Sequence, residues 1–87
     1  MYIICTYDVD EKKCNKCMTV LKQYLFHVQN SVFEGELSPA KFQELQDKLD
    51  KVISDDDSIY FYFSYNNKSI YKKCVGVSKG NPINIVI

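Results

Sequence analysis

Asp8 closes the first apolar run of the chain, Tyr2-Ile3-Ile4-Cys5-Thr6-Tyr7-Asp8. A carboxylate in that position needs a partner, because burying an unpaired charge is costly. One carboxylate is a poor site for a hard divalent ion such as Mg²⁺ or Mn²⁺, which collects a near-octahedral set of oxygens. A two-fold axis between two copies of Asp8 would supply two carboxylates from one sequence position, with waters completing the set. An ion held there activates water and stabilises charge on a scissile phosphate. Capping the turn before the first helix is a second, compatible role for the same side chain.

Cys14-Asn15-Lys16-Cys17 offers a different chemistry, since a CxxC pair supplies two soft ligands for Zn²⁺ or Cu⁺. Helical register argues against it. Cys14 and Cys17 continue into Met18, Leu21 and Leu25 on one apolar stripe, which predicts small hydrophobes facing a core. Cys5 and Cys74 lack the paired spacing of a second knuckle, and disulfides are not expected without a secretory signal. His27 is the lone histidine and reads as a strand-end residue rather than a proton shuttle. Tyr60-Phe61-Tyr62-Phe63 suggests a base-stacking sheet, but the basic-Gly-aromatic pattern of RNA-recognition modules is missing. Tyr60 and Tyr62 are expected to cover a sheet face or a dimer contact.

These residues need elements to place them. Tyr2 to Asp8 alternates Ile3, Cys5 and Tyr7 against Tyr2, Ile4 and Thr6, which predicts an inner strand covered on both sides. Asp10 is a helix N-cap with Glu11 in the first turn, opening a helix over Glu11 to Tyr24. Phe26 to Leu37 is strand-like, either one bent strand or a short hairpin. Within it Gln29, Asn30 and Ser31 interrupt an apolar pattern, and local rule-breaking of that kind often marks function. An interface role across a dimer axis suits these polar side chains better than substrate contact. Ser38-Pro39 opens a second helix with Phe42, Leu45, Leu49, Val52 and Ile53 on its buried stripe. Asp55-Asp56-Asp57-Ser58 breaks the chain before an aromatic strand, Asn66-Asn67 turns it into Ser69 to Val77, and Gly80-Asn81-Pro82 precedes an apolar strand at Ile83 to Ile87. The order predicts one α+β domain over residues 1–87, an antiparallel sheet with two helices on one face.

With 87 residues the chain buries a modest core, so help from a partner copy is expected. The terminal apolar strand would be an exposed edge on a monomer, a second argument for association. Charges balance at 11 basic and 11 acidic, which excludes a strongly basic nucleic-acid binder, and every basic residue is lysine apart from one histidine. Lys12, Lys13 and Lys16 cluster early and Lys68, Lys72, Lys73 and Lys79 late, while Asp47, Asp50, Asp55, Asp56 and Asp57 gather elsewhere. Lysine contacts phosphate as a point charge, so binding to nucleic acid would be backbone-directed and salt-dependent. No apolar run is long enough to span a bilayer and no secretory leader is evident, which predicts a cytoplasmic protein without a membrane partner.

Tyr7-Asp8, the basic opening of the first helix, the segment Gln29-Asn30-Ser31-Val32-Phe33-Glu34-Gly35, the second helix, the aromatic strand and the apolar C-terminal strand follow one another in order. In that set the chain resembles the second CRISPR-associated protein family, small dimeric subunits of the spacer-acquisition machinery, over nearly its whole length. The resemblance implies a ferredoxin-like homodimer whose C-terminal strand packs on the sister sheet or engages the integrase, the first CRISPR-associated protein. It implies double-stranded DNA held by its backbone during spacer integration, with Lys12, Lys13, Lys16, Lys72 and Lys73 as the contacts expected here. It also implies a metal-dependent endonuclease acting on RNA or duplex DNA, with Asp8 as metal ligand and catalytic residue, and Tyr7, Lys16, His27 and Phe33 at positions linked to ribonuclease activity. Lys16 and His27 stand where arginines are common in the family.

Overall fold

The computed structural model describes residues 1–54, 56–66, 69–76 and 84–86. The elements run β1 (Tyr2–Asp8), α1 (Glu11–Leu21), β2 (Phe26–Gln29), β3 (Val32–Glu36), α2 (Pro39–Asp50), β4 (Ser58–Ser64), β5 (Ser69–Gly76) and β6 (Asn84–Val86). All strands pair antiparallel in one sheet of order β2-β3-β1-β4-β5-β6. The first four sheet positions, with α1 and α2 as crossovers, form the ferredoxin-like βαββαβ unit. β5 and β6 extend it beyond β4. The predicted α+β fold with two helices on one sheet face is therefore the observed one.

Period two along the strands sends Ile3, Cys5, Tyr7, Phe33, Ile59, Phe61 and Val75 to the helix side, where Cys17, Leu21, Phe42, Leu45 and Leu49 meet them in one buried cluster. Phe42 anchors α2 on β4 through edge-on contacts to Phe61 and Phe63, ring centroids 5.0 and 5.2 Å apart. Both predicted caps form. The Asp10 carboxylate accepts the Lys12 N–H, and the Ser38 hydroxyl accepts the Lys41 N–H ahead of Pro39.

Two expectations change, and one open alternative is resolved. Helix α1 ends at Leu21, not Tyr24, because the chain tightens into Gln23 N–H to Val20 and Tyr24 N–H to Leu21 bonds. Leu25 still donates to the Leu21 carbonyl at 2.8 Å and stays buried, which preserves helical spacing past the helix end. Phe26 to Leu37 is a hairpin. Asn30 and Ser31 form its turn, with Asn30 at φ +22°, and the register shifts between His27 and Gln29. Asn tolerates that left-handed backbone, so turn chemistry accounts for Asn30 and Ser31, while Gln29 is the last residue of β2. Finally, β1 is central but covered on one side only. Tyr2 and Ile4 are 45% and 37% exposed on the face away from the helices.

The backbone of β6 pairs with β5 of its own chain, Ile70 opposite Ile85. The expected breaker Gly80-Asn81-Pro82, Asn67 of the expected turn, Val77, Ile83, Ile87, Lys68 and Lys79 lie outside the described residues.

Candidate nucleic-acid and metal site

Asp8 sits where β1 leaves the sheet, directly across from Ser58 of β4. Alternation places its side chain on the open face with Tyr2, Ile4 and Thr6, and it is exposed. The carboxylate is thus not a buried charge within one chain, contrary to the argument that burial forces a partner on it. Among the described residues no three His, Cys, Asp or Glu side chains gather around a possible metal. Asp8 has the hard oxygen chemistry that Mg²⁺ or Mn²⁺ favours, but one chain supplies it as a single carboxylate. Half a site fits; a whole one needs more donors.

Tyr7, the neighbouring candidate, faces the other way. It is buried under the helices, its ring centroid 6.2 Å from that of Phe33. Burial pushes its phenol pKa up, while a hydrogen bond with Ser31 opposes that shift. Phe33 is fully buried, and His27 stacks on it with centroids 4.6 Å apart. His27 Nε2 lies 2.7 Å from the Asn30 carbonyl, so that nitrogen carries the proton and donates. Tyr7, Phe33 and His27 therefore form one aromatic row on the helix side, separated from Asp8 by the sheet itself.

The lysines divide as well. Lys12 and Lys16 are exposed on α1. Lys13 is tied down, its ammonium 2.7 Å from Asp57 Oδ2 and also hydrogen-bonded to the Ser54 hydroxyl. Lys72 lies on the open face over Tyr60, 4.7 Å from the ring centroid, and near Tyr62 at 5.9 Å. Lys73, next in the strand, is paired with Phe61 and points to the helix side. The five lysines do not share one surface of a single chain. Tyr60 and Tyr62 do cover a sheet face, as their spacing predicts.

The soft-metal alternative is overturned. Cys17 is fully buried in the core, where burial raises its thiol to about 11, and among the described residues no group of three His, Cys, Asp or Glu side chains gathers to hold a metal. Cys14 turns its sulfur toward the Val9 and Asp10 carbonyls, 3.9 and 3.7 Å away. Both act as core-side residues.

Sequence reasoning missed Asp57, read there as part of a polar breaker. It is 2% exposed. Its Oδ1 accepts the Asp10 N–H at 2.9 Å, and its Oδ2 accepts the Ser54 N–H at 2.9 Å besides Lys13. These donors hold its pKa down at about 2. No spacing separates Asp57 from Asp55 and Asp56; only its place immediately before β4 does.

A model of the family described as CRISPR associated protein Cas2 matches residues 1–76. The chain belongs to the Cas2 family. The CRISPR-associated endoribonuclease Cas2 of Thermotoga maritima is 42% identical over 81 residues, covering 92% of this chain and 93% of the relative. That of Thermodesulfovibrio yellowstonii is 42% identical over 86 residues, 98% of either chain. A solved Cas2 crystal structure superposes with TM-score 0.70 at 39% identity, covering 100% of this chain and 98% of the other. Family membership thus links this chain to CRISPR systems and to relatives named as endoribonucleases, and the Cas2 fold is the one described above.

Proposed function

We propose that the protein is a cytoplasmic, single-domain homodimeric subunit of the CRISPR adaptation complex that holds nucleic acid by its backbone and carries a metal-dependent phosphodiesterase centre at paired Asp8 side chains. The observation that carries this reading is that Asp8 lies on the same open, apolar sheet face as Tyr2, Ile4, Tyr60 and Tyr62. Exposed apolar surface of that kind is normally covered, and a second copy laid over it across a two-fold axis brings two Asp8 carboxylates together. The paired residues are oxygen donors of the class that Mg²⁺ or Mn²⁺ takes. Such an ion, when bound, supplies charge opposite the scissile phosphate and acidifies a water.

Lys12 and Lys16 on α1, with Lys73, are exposed cations suited to phosphate contact with double-stranded DNA or single-stranded RNA. Lys13 steadies α1 beside them, and Lys72 belongs to the covered face. β6 forms the outer edge of the sheet, and an edge strand there supports a contact with the sister subunit or with the integrase, the first CRISPR-associated protein. Integration chemistry then belongs to the integrase. The relatives' names favour RNA as the hydrolysed substrate.

The test combines sedimentation with cleavage of labelled RNA and duplex DNA in Mg²⁺ or Mn²⁺, wild type against Asp8→Ala. A dimer that cleaves only with Asp8 intact supports the whole reading. A dimer with no Asp8-dependent cleavage reduces it to the nucleic-acid scaffold, and a monomer removes it.

A further inference from the structure

Asp57 takes no part in that chemistry, yet it is buried and its carboxylate is bonded to three donors. Its three donors come from two segments: Asp10 and Lys13 at the start of α1, and Ser54 in the link that follows α2. Capping alone does not require it, because the side chain of Asp10 already accepts the Lys12 N–H. Asp57 grips instead the backbone N–H of the cap residue itself, two positions beyond Asp8. The residue after Asp57 is Ser58, the ladder partner of Asp8. The chain around Asp8 is therefore fastened twice to the start of β4, by the ladder at Asp8 itself and by the Asp57 carboxylate at Asp10, two residues on.

A third segment closes on the same point. Gly76, at the end of β5, has φ +97°, and a Cβ there would come 2.3 Å from the Asp57 carbonyl oxygen. Only glycine allows that approach. An ionised carboxylate bonded to three donors fixes direction more tightly than a neutral acceptor would. Burying such an ion pair is weak evidence for stability.

We propose that Asp57, locked by Lys13, is a positioning residue that sets the β1 to α1 link so that Asp8 keeps the orientation its paired metal centre needs. The inference rests on the Asp8 reading above and extends it to the residues behind Asp8. A contact made directly to a metal ligand is worth about 10-fold to 100-fold in affinity, and a grip on the backbone two residues beyond the ligand is expected at about the lower end of that range.

The experiment uses the full chain as wild type, Asp8→Ala, Asp57→Asn and Lys13→Met, each shown folded by circular dichroism below its melting temperature. Mn²⁺ binding is followed by the loss of the free-ion electron paramagnetic resonance signal, and RNA cleavage is measured against Mg²⁺ concentration. The expected result is Mn²⁺ affinity lowered about tenfold in Asp57→Asn and in Lys13→Met, a matching rise in the Mg²⁺ needed for cleavage, and an unchanged KM for RNA. Lys13→Met keeps the Asp57 carboxylate and its two backbone donors, so it reports even if Asp57→Asn does not fold. Unchanged Mn²⁺ affinity beside a lowered melting temperature would make Asp57 a stabilising residue only and overturn the proposal. Mn²⁺ binding that does not respond to Asp8→Ala would remove the Asp8 reading and this one with it, an outcome visible in the reference variant alone.

Discussion

Tyr7 and Asp8 are adjacent in the chain and stand on opposite faces of β1, Tyr7 buried beneath the helices and Asp8 exposed on the open side. A phenol on one face of a sheet cannot hand a proton to a phosphate held on the other. Asp8→Ala is therefore expected to abolish metal-dependent cleavage, while Tyr7→Phe leaves kcat within about threefold and costs about 1 kcal/mol through the lost Ser31 hydrogen bond. Single-turnover rates and urea melts of the two variants check this. A Tyr7→Phe enzyme that folds normally and loses activity as Asp8→Ala does would place the reaction on the helix side.

The Asp57 carboxylate gives stability a defined acid limit. Its pKa is lowered from the ordinary 3.8 to about 2 in the folded protein, chiefly by the Lys13 ammonium and the Ser54 N–H. A depressed acid contributes its full stability above the unfolded value, and loses it as pH falls through the folded one. Wild type and Asp57→Asn should thus differ in urea midpoint at neutral pH and converge as pH drops from about 4 to about 2. Lys13 faces the same carboxylate, with Asp10 and Asp56 nearby, and its own pKa is raised. It remains charged across that window. A difference between the two proteins that persists unchanged below pH about 2 would mean that the contribution of Asp57 is not its charge.

Periodicity carried most of the fold. Ile3, Cys5 and Tyr7 alternate, Phe42, Leu45 and Leu49 recur at helical spacing, and both caps stand where Asp10 and Ser38 announce them. What stayed hidden depends on contacts far apart in sequence. Asp57 meets Asp10 across 47 residues and Lys13 across 44, and no local pattern records either pairing. Asn30 and Ser31 stood out for the opposite reason: they form a two-residue turn between β2 and β3, and so looked anomalous only against a longer strand. Asp8 was legible as a residue but not as a surface group, because the alternation of β1 does not say which face lacks helices.

The cysteines of α1 should behave as packing rather than as ligands. Cys17→Ser puts a hydroxyl into a fully buried site and is expected to cost about 1–3 kcal/mol. Cys14→Ser, half-buried beside two carbonyls, should cost less. Neither change should alter the Zn²⁺ content of the purified protein, and alkylation at neutral pH should modify Cys14 well before Cys17, whose thiol titrates near 11. Stoichiometric zinc released by either substitution would contradict the buried register.

Nucleic-acid binding should separate the lysines by the surface each occupies. Each phosphate neutralised contributes about 0.9 to the salt slope on duplex DNA, so Lys12→Ala with Lys16→Ala should flatten the slope by about 1.8. Lys13→Ala should lower stability more than it lowers the slope, since its ammonium is bound to Asp57 and Ser54. Lys72 sits over Tyr60 and Tyr62 on the face assigned to the dimer. Lys72→Ala should then raise the dimer dissociation constant and leave the slope of the remaining dimer unchanged, as sedimentation and fluorescence anisotropy across a salt series would show. If Lys72→Ala removes a full phosphate's share of the slope without touching dimerisation, the open face holds nucleic acid, and the two copies of Asp8 must meet by some other arrangement or not at all.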